Sequence, residues 1–274
     1  METVSIKSIN ITNLEEDIIY FRVQNAYYKG FKKIILVGDL NKTKIKIIDR
    51  VQRSLMGLEI TEQTNNSLTF QDILNKESLD INKNLNYIFT VLTNMALEII
   101  EYIERGEEPD DKIFSIGTTV LRKCNLIHRY CNVALIDSEF LSKNKKTLQE
   151  IIIIARVVKN LQMLAKLLLG TSFILNIKKT PMMKKYHYSL YKKDTRVEKI
   201  ISDYMKQWVI YFKKIQIMTM KNDSEGAADF YNTRFEQRLK IEKEFDSPSL
   251  HFFKTSAEMI RRNSADIVRD IICI

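Results

Sequence analysis

Three side chains on one stretch of the chain are able to hold a metal or act as nucleophiles. They are Cys124, His128 and Cys131, within DDKIFSIGTTVLRKCNLIHRYCNVALIDS at 110–138. The spacing is i, i+4, i+7, which on a helix places all three on one face. Such a set suits a soft cation such as zinc or iron, with further ligands drawn from another helix or subunit. No CxxC pair and no second histidine cluster accompanies it. Free cysteine is also among the most buried residue types, so a core stripe is the competing reading. Direct pairing of the two thiols is excluded, because seven residues of helix separate them by about 10 Å.

Other chemistry is harder to find. The chain lacks a GxxxxGK[ST] loop, an HExxH pair and a nucleophile elbow. We therefore expect a protein that is not an enzyme and holds no cofactor, with a transition metal as the alternative. Glu258, Arg262 and Asp266 repeat at i, i+4, i+8 and read as a salt-bridged helix surface or the remnant of a metal site. Trp208, Tyr211 and Phe212 read as core. Lys178, Lys179, Lys184, Lys185, Lys192 and Lys193, interleaved with Tyr186, Tyr188 and Tyr191, form a basic segment. It suits a protein partner, a membrane headgroup or single-stranded nucleic acid, or serves as a solvated linker.

The elements that must position these residues follow from composition and period. Only 7 glycines and 3 prolines interrupt 274 residues, which favours long helices. The net charge of +9 suits an acidic partner surface or a phosphate-rich ligand, although no nucleic-acid fingerprint occurs. Three cysteines without framework spacing point to a reducing, cytoplasmic compartment. No signal peptide is visible. The greasiest stretch, 147–175, is broken by Glu150, Arg156, Lys159 and Lys166, so it reads as a buried helix and not a membrane span.

Residues 1–74 alternate between strand and helix periods. A strand at 4–10 precedes a helix capped by Thr12 or Asn13 and closed by Gly30. A strand follows at 32–39, then a helix capped by Asn41 and ended by Gly57. Two alternating runs flank the turn at Thr64-Asn65-Asn66. The order is β-α-β-α-β-β, a small α+β module. Beyond residue 79 the period is helical throughout, with helices expected at 81–105, 110–138, 147–174, 195–221, 224–245 and 248–271. The fold expected is mainly α: two tandem three-helix bundles preceded by the α+β module. The segments are 1–76 for the module, 77–176 for the first bundle, 177–194 for a basic joint and 195–274 for the second bundle.

The run LMGLEITEQTNNSLTFQDILNKESLDINKNL at 55–85 resembles the junction of archaeal phosphate uptake regulators of the PhoU family. There a GLEI strand, a turn and a strand ending in QDLL lead into the first bundle helix. The preceding EDIIYFRVQNAYYKGFKKIILVGDL is similar to the small α/β module of the same proteins. SAEMIRRNSADIVRDII at 256–272 resembles the last helix of a PhoU repeat. The resemblance implies a negative regulator of phosphate import acting between a transporter ATPase and a sensor kinase, often as a homo-oligomer. It also implies surface metal clusters held by acidic residues one turn apart.

The chain departs from that pattern. It begins at the first strand of the module, leaving no room for the AbrB-like DNA-binding hairpin of archaeal relatives, so no DNA contact through such a domain is expected. Cys124 and His128 take the acidic positions of the second bundle helix. Lys159 and Asn160 stand where a Glu-Arg pair is expected. Asp229 keeps its carboxylate, but Thr233 lies four residues on. Glu258 is retained, and Arg262 replaces its acidic partner. A cation at a carboxylate position repels a metal, so this reads as a degenerate site. The expected function is regulation of phosphate uptake and homeostasis through protein–protein contact. A metal-binding bundle with soft ligands and a basic module binding nucleic acid remain as alternatives.

Overall fold

A computed structural model of the chain describes residues 5–39, 44–74, 80–107, 111–143, 145–175, 195–234 and 248–273. It is mainly helical, with a four-stranded sheet at the N-terminal end. The elements are β1 (Ile6–Asn10), α1 (Glu16–Tyr28), β2 (Lys33–Val37), α2 (Lys44–Ser54), β3 (Leu58–Gln63) and β4 (Ser67–Asp72). Helices follow: α3 (Ile81–Arg105), α4 (Asp111–Ala134), α5 (Ser138–Lys143), α6 (Leu148–Leu175), α7 (Thr195–Lys221), α8 (Ser224–Arg234) and α9 (Pro248–Ile272). The β-α-β-α-β-β order is the one the periodicity predicts. No helix of the described residues is long and apolar enough to cross a membrane.

The sheet runs β1-β2-β4-β3, with β1 parallel to β2 and the other pairs antiparallel. Alternation puts Ile9, Ile34, Leu36, Leu68 and Phe70 on one face, where they form a core with Ile19, Val23 and Tyr27 of α1 and Ile47 and Val51 of α2. The hairpin turn closes with Thr64 N–H donating to the Ser67 carbonyl at 2.9 Å. Gly30 follows the C-cap of α1 at φ 81°, a left-handed conformation that glycine adopts without a Cβ penalty.

Two expectations need correction. The N-cap of α1 is Glu15, not Thr12 or Asn13, and it makes no side-chain capping bond. Asn13 instead takes a left-handed φ of 60° in the preceding turn. The helix expected over 110–138 ends at Ala134. A turn at 135–137 follows, and Asp137 restarts the chain as α5 by accepting a bond from the Phe140 N–H at 3.0 Å. The expected cap Asn41 lies outside the described residues, as do 235–245 of the helix expected at 224–245.

The start of α6 is a capping box. Thr147 Oγ1 accepts from the Glu150 N–H at 3.1 Å, and Glu150 Oε2 accepts from the Thr147 N–H at 2.8 Å. That backbone bond, reinforced by Lys146, lowers the Glu150 carboxyl pKa.

The chain packs as two compact units. One contains residues 1–84 and 121–155, the other 85–120 and 156–274. They are defined by packing, whereas the expected segments at 76, 176 and 194 follow connectivity. In the second unit, Gly117 of α4 lies against Leu169 of α6, and Phe89 of α3 meets Phe212 of α7 at 5.1 Å between ring centroids. Helices α7, α8 and α9 pack mutually. Trp208 is core, as its spacing suggested. It stacks on Phe212 and donates from Nε1 to Ser264 Oγ at 3.0 Å. Tyr211 meets Phe230 edge-on.

Candidate functional site

The first unit is organised around the stretch of α4 that carries the cysteine–histidine stripe. Cys124 and Cys131 are both buried in the core, and burial pushes the Cys131 thiol up to about 12. A metal ligand must be a thiolate, so this environment is that of a packed, protonated thiol. His128 is half-buried, and its ring meets Tyr28 edge-on at 6.2 Å. Among the described residues no group of three or more His, Cys, Asp or Glu side chains is arranged to hold a metal ion.

The polar chemistry of α4 lies one residue along. Asn125, Arg129 and Val133 repeat at i, i+4, i+8 and share a face. Asn125 bridges two helix ends: its Oδ1 accepts from the Tyr28 hydroxyl at 2.7 Å, and its Nδ2 donates to the Ser54 carbonyl at 2.8 Å. Arg129 Nη2 donates to Asp72 Oδ2 at 2.7 Å and to the Phe31 carbonyl at 3.4 Å. Its guanidinium also lies 4.5 Å from the centre of the Tyr27 ring, a cation–π contact. Val133 packs where a Cβ on Gly30 would stand, 2.7 Å away. Polar clamp, ion pair and apolar contact thus fix the α/β module to this half of α4.

Asp72 is the hub. Its Oδ2 also accepts from Lys32 Nζ at 3.1 Å, and its Oδ1 accepts from the Leu74 N–H at 3.1 Å. The Arg129 and Asp72 side chains are only 3% and 2% exposed, so the pair is shielded from solvent screening. Burial raises the phenol pKa values around it: Tyr27 well above the usual range, and Tyr28 and Tyr130 to about 12. These shifts mark phenols held neutral.

The positions matched to acidic motifs are dispersed in role. Lys159 is exposed on α6, while its neighbour Asn160 donates to Asp270 at 3.4 Å. Burial raises the Asp270 carboxyl pKa, with Arg156 and Arg269 opposing it. Asp229 is exposed on α8, and the Thr233 side chain lies outside the described residues. Glu258 is paired with Arg261, three residues on, and Arg262 is exposed. Asp266 pairs with Arg269. The described ion pairs on the α9 surface, Glu258–Arg261 and Asp266–Arg269, are at i, i+3. Lys178, Lys179, Lys184, Lys185, Lys192 and Lys193 all lie outside the described residues.

Arg129 and Asp72 were missed by the motif search, yet a signal existed. Arg129 has Asn125, Leu126, Asn132 and Val133 at its i±3 and i±4 positions, with no carboxylate among them. A buried arginine with no carboxylate at its helical neighbours needs one from elsewhere in the fold. A second feature missed is a cavity of about 330 Å³ between β1 and α1, lined by Lys7, Arg22 and Lys29 together with Ser8, Asn10 and Asn25. Comparison of the chain with protein-family models, with curated proteins and with solved structures finds no match.

Proposed function

We propose that this chain is a regulator of phosphate uptake and phosphate homeostasis that acts in the cytoplasm by protein–protein contact. A phosphate-transport ATPase or a sensor kinase is the proposed partner. The observation that carries the reading is the architecture: a β-α-β-α-β-β module clamped to a helix of a long helical region. That is the arrangement which the resemblance of residues 55–85 and 256–272 implies. The Asn125–Arg129–Val133 clamp supports a mechanism by occupancy, because a protein docked on the module bears directly on α4. Lys159 and Arg262 at motif positions support action without a metal cluster.

The test is deletion of the gene in its native cell, with phosphate uptake measured under phosphate-replete conditions. Expected is uptake that stays high when phosphate is abundant, and recovery of a transporter ATPase or kinase with the tagged protein. Uptake that responds normally in the deletion strain overturns the reading.

A further inference from the structure

The groove between β1 and α1 joins two features. The first is a sheet edge that is open among the described residues, since β1 is an outermost strand with β2 as its neighbour on one side. Lys33 N–H donates to the Ser5 carbonyl, and Ile11 N–H donates to the Val37 carbonyl. In a parallel ladder only alternate residues of a strand face a given neighbour. Lys7 and Ile9 therefore spend their backbone groups on β2, as do the Ser5 carbonyl and the Ile11 N–H, and the N–H and C=O of Ile6, Ser8 and Asn10 point outward.

The second feature is charge. On α1 the acidic residues turn toward α2, where Glu16 pairs with Lys46 at 3.5 Å and Asp17 with Arg50. Arg22 and Lys29, two turns apart, face the groove instead. Lys7 joins them, because its register with Ile34 puts it on the helix-covered side of the sheet. Among the described residues no carboxylate lines this groove. The opposite face of β1 is different: Ile6 is 54% exposed, and Val37 beside Asn10 is 43% exposed.

We propose that the β1 edge is a docking site for an extended acidic segment of a partner protein, added as a fifth strand. Side chains of such a strand alternate between the two faces, with same-face neighbours about 7 Å apart. Those directed to the helix side meet Lys7, Arg22 and Lys29, and must be Asp or Glu. Those directed to the open side lie beside Ile6, Ser8 and Asn10, with Val37 one strand beyond, and carry no charge; an apolar residue beside Ile6 extends the exposed apolar surface. The occupant is thus a segment of acidic residues alternating with uncharged, in part apolar, residues. A second copy of this chain is disfavoured, since pairing β1 with itself opposes two sets of the same three cations. The inference supplies a surface for the contact proposed above and rests on that reading only for the existence of a protein partner. The experiment below involves no phosphate, so the two fail separately.

The full chain is titrated into a short fluorescein-labelled peptide of alternating aspartate and valine, with anisotropy as the readout. The same composition arranged as an aspartate block and a valine block, and an alternating lysine–valine peptide, serve as references. Saturable, salt-sensitive binding of the alternating acidic peptide alone is expected. Ser8→Pro removes one outward N–H without touching the β1–β2 ladder, and weakens binding by about tenfold. The triple change Lys7→Glu, Arg22→Glu, Lys29→Glu abolishes it. Backbone amide exchange gives a check that needs no variant: the Ile6, Ser8 and Asn10 amides gain protection when peptide is bound. Equal binding of the block peptide, or binding without protection of these amides, reduces the groove to an anion site and overturns the proposal. Absence of binding overturns it too, as does a dimer of the free protein that buries β1.

Discussion

The guanidinium of Arg129 and the carboxylate of Asp72 meet at 2.7 Å, 57 residues apart in sequence, and both side chains are almost fully buried. The carboxylate is saturated by Arg129, Lys32 and the Leu74 N–H, whereas Arg129 Nη1 is buried with no hydrogen-bond partner. The pair therefore locates α4 on the module more than it stabilises the fold, since charges taken from water recover little beyond their desolvation cost.

A mutational cycle separates these two roles. Asp72→Asn leaves the Arg129 charge buried beside a neutral amide and is expected to cost about 3–5 kcal/mol, read from chemical denaturation. Arg129→Met is milder, because Lys32 still neutralises Asp72. The double change Asp72→Leu, Arg129→Met recovers most of the loss, as an apolar replacement removes both desolvation terms together. A double variant as unstable as Asp72→Asn would show instead that the ion pair itself is a main source of stability.

Gly30 makes a second, independent test of the same junction. Its φ of 81° already disfavours a side chain, and a Cβ there would sit 2.7 Å from a Val133 methyl. Gly30→Ala is expected to destabilise by about 1–3 kcal/mol, combining backbone strain with overpacking. Adding Val133→Ala makes room for the new methyl but leaves the strain. The partial rescue, measured as a difference between thermal midpoints, reports how much of the cost is contact. No rescue at all would place the whole effect in the backbone.

What was legible in the sequence, and what was not, divides along physical lines. Period and punctuation gave the β-α-β-α-β-β order, the Gly30 stop and the hairpin at Thr64-Asn65-Asn66, because each depends on neighbours within a few residues. The short α5 escaped because Asp137-Ser138 lies inside a run that still reads as helical. On α4 the residue types single out Cys124, His128 and Cys131, as a core stripe or as a metal site. Those residues attract attention by type. The residues that make the long-range contacts are Asn125 and Arg129. Their bonds to Tyr28, Ser54 and Asp72 span 97, 71 and 57 positions, and no local pattern encodes such distances. The β1 groove was equally hidden, since it needs the register that sets Lys7 beside Ile34.

Burial raises the pKa of one thiol and three phenols of the first unit. Cys131 titrates near 12 when folded against an ordinary 9.0, and Tyr28 and Tyr130 near 12 against 10.0, in each case chiefly through burial. A group whose folded pKa is raised holds its proton more tightly in the native state. Its contribution is complete below the unfolded value and is lost as pH rises through the folded one. Stability should therefore be level at neutral pH and fall from about pH 9 toward pH 12, with Cys131→Ala flattening the first part of that fall. The same burial governs reactivity. At pH 8 an aromatic disulfide reagent should modify Cys273, the exposed thiol, rapidly, and should reach Cys124 and Cys131 only after denaturant is added. Rapid modification of all three in the native protein would mean that the α4 stripe opens to solvent. The packed-thiol account of Cys124 and Cys131 would then give way to a reactive or metal-binding one.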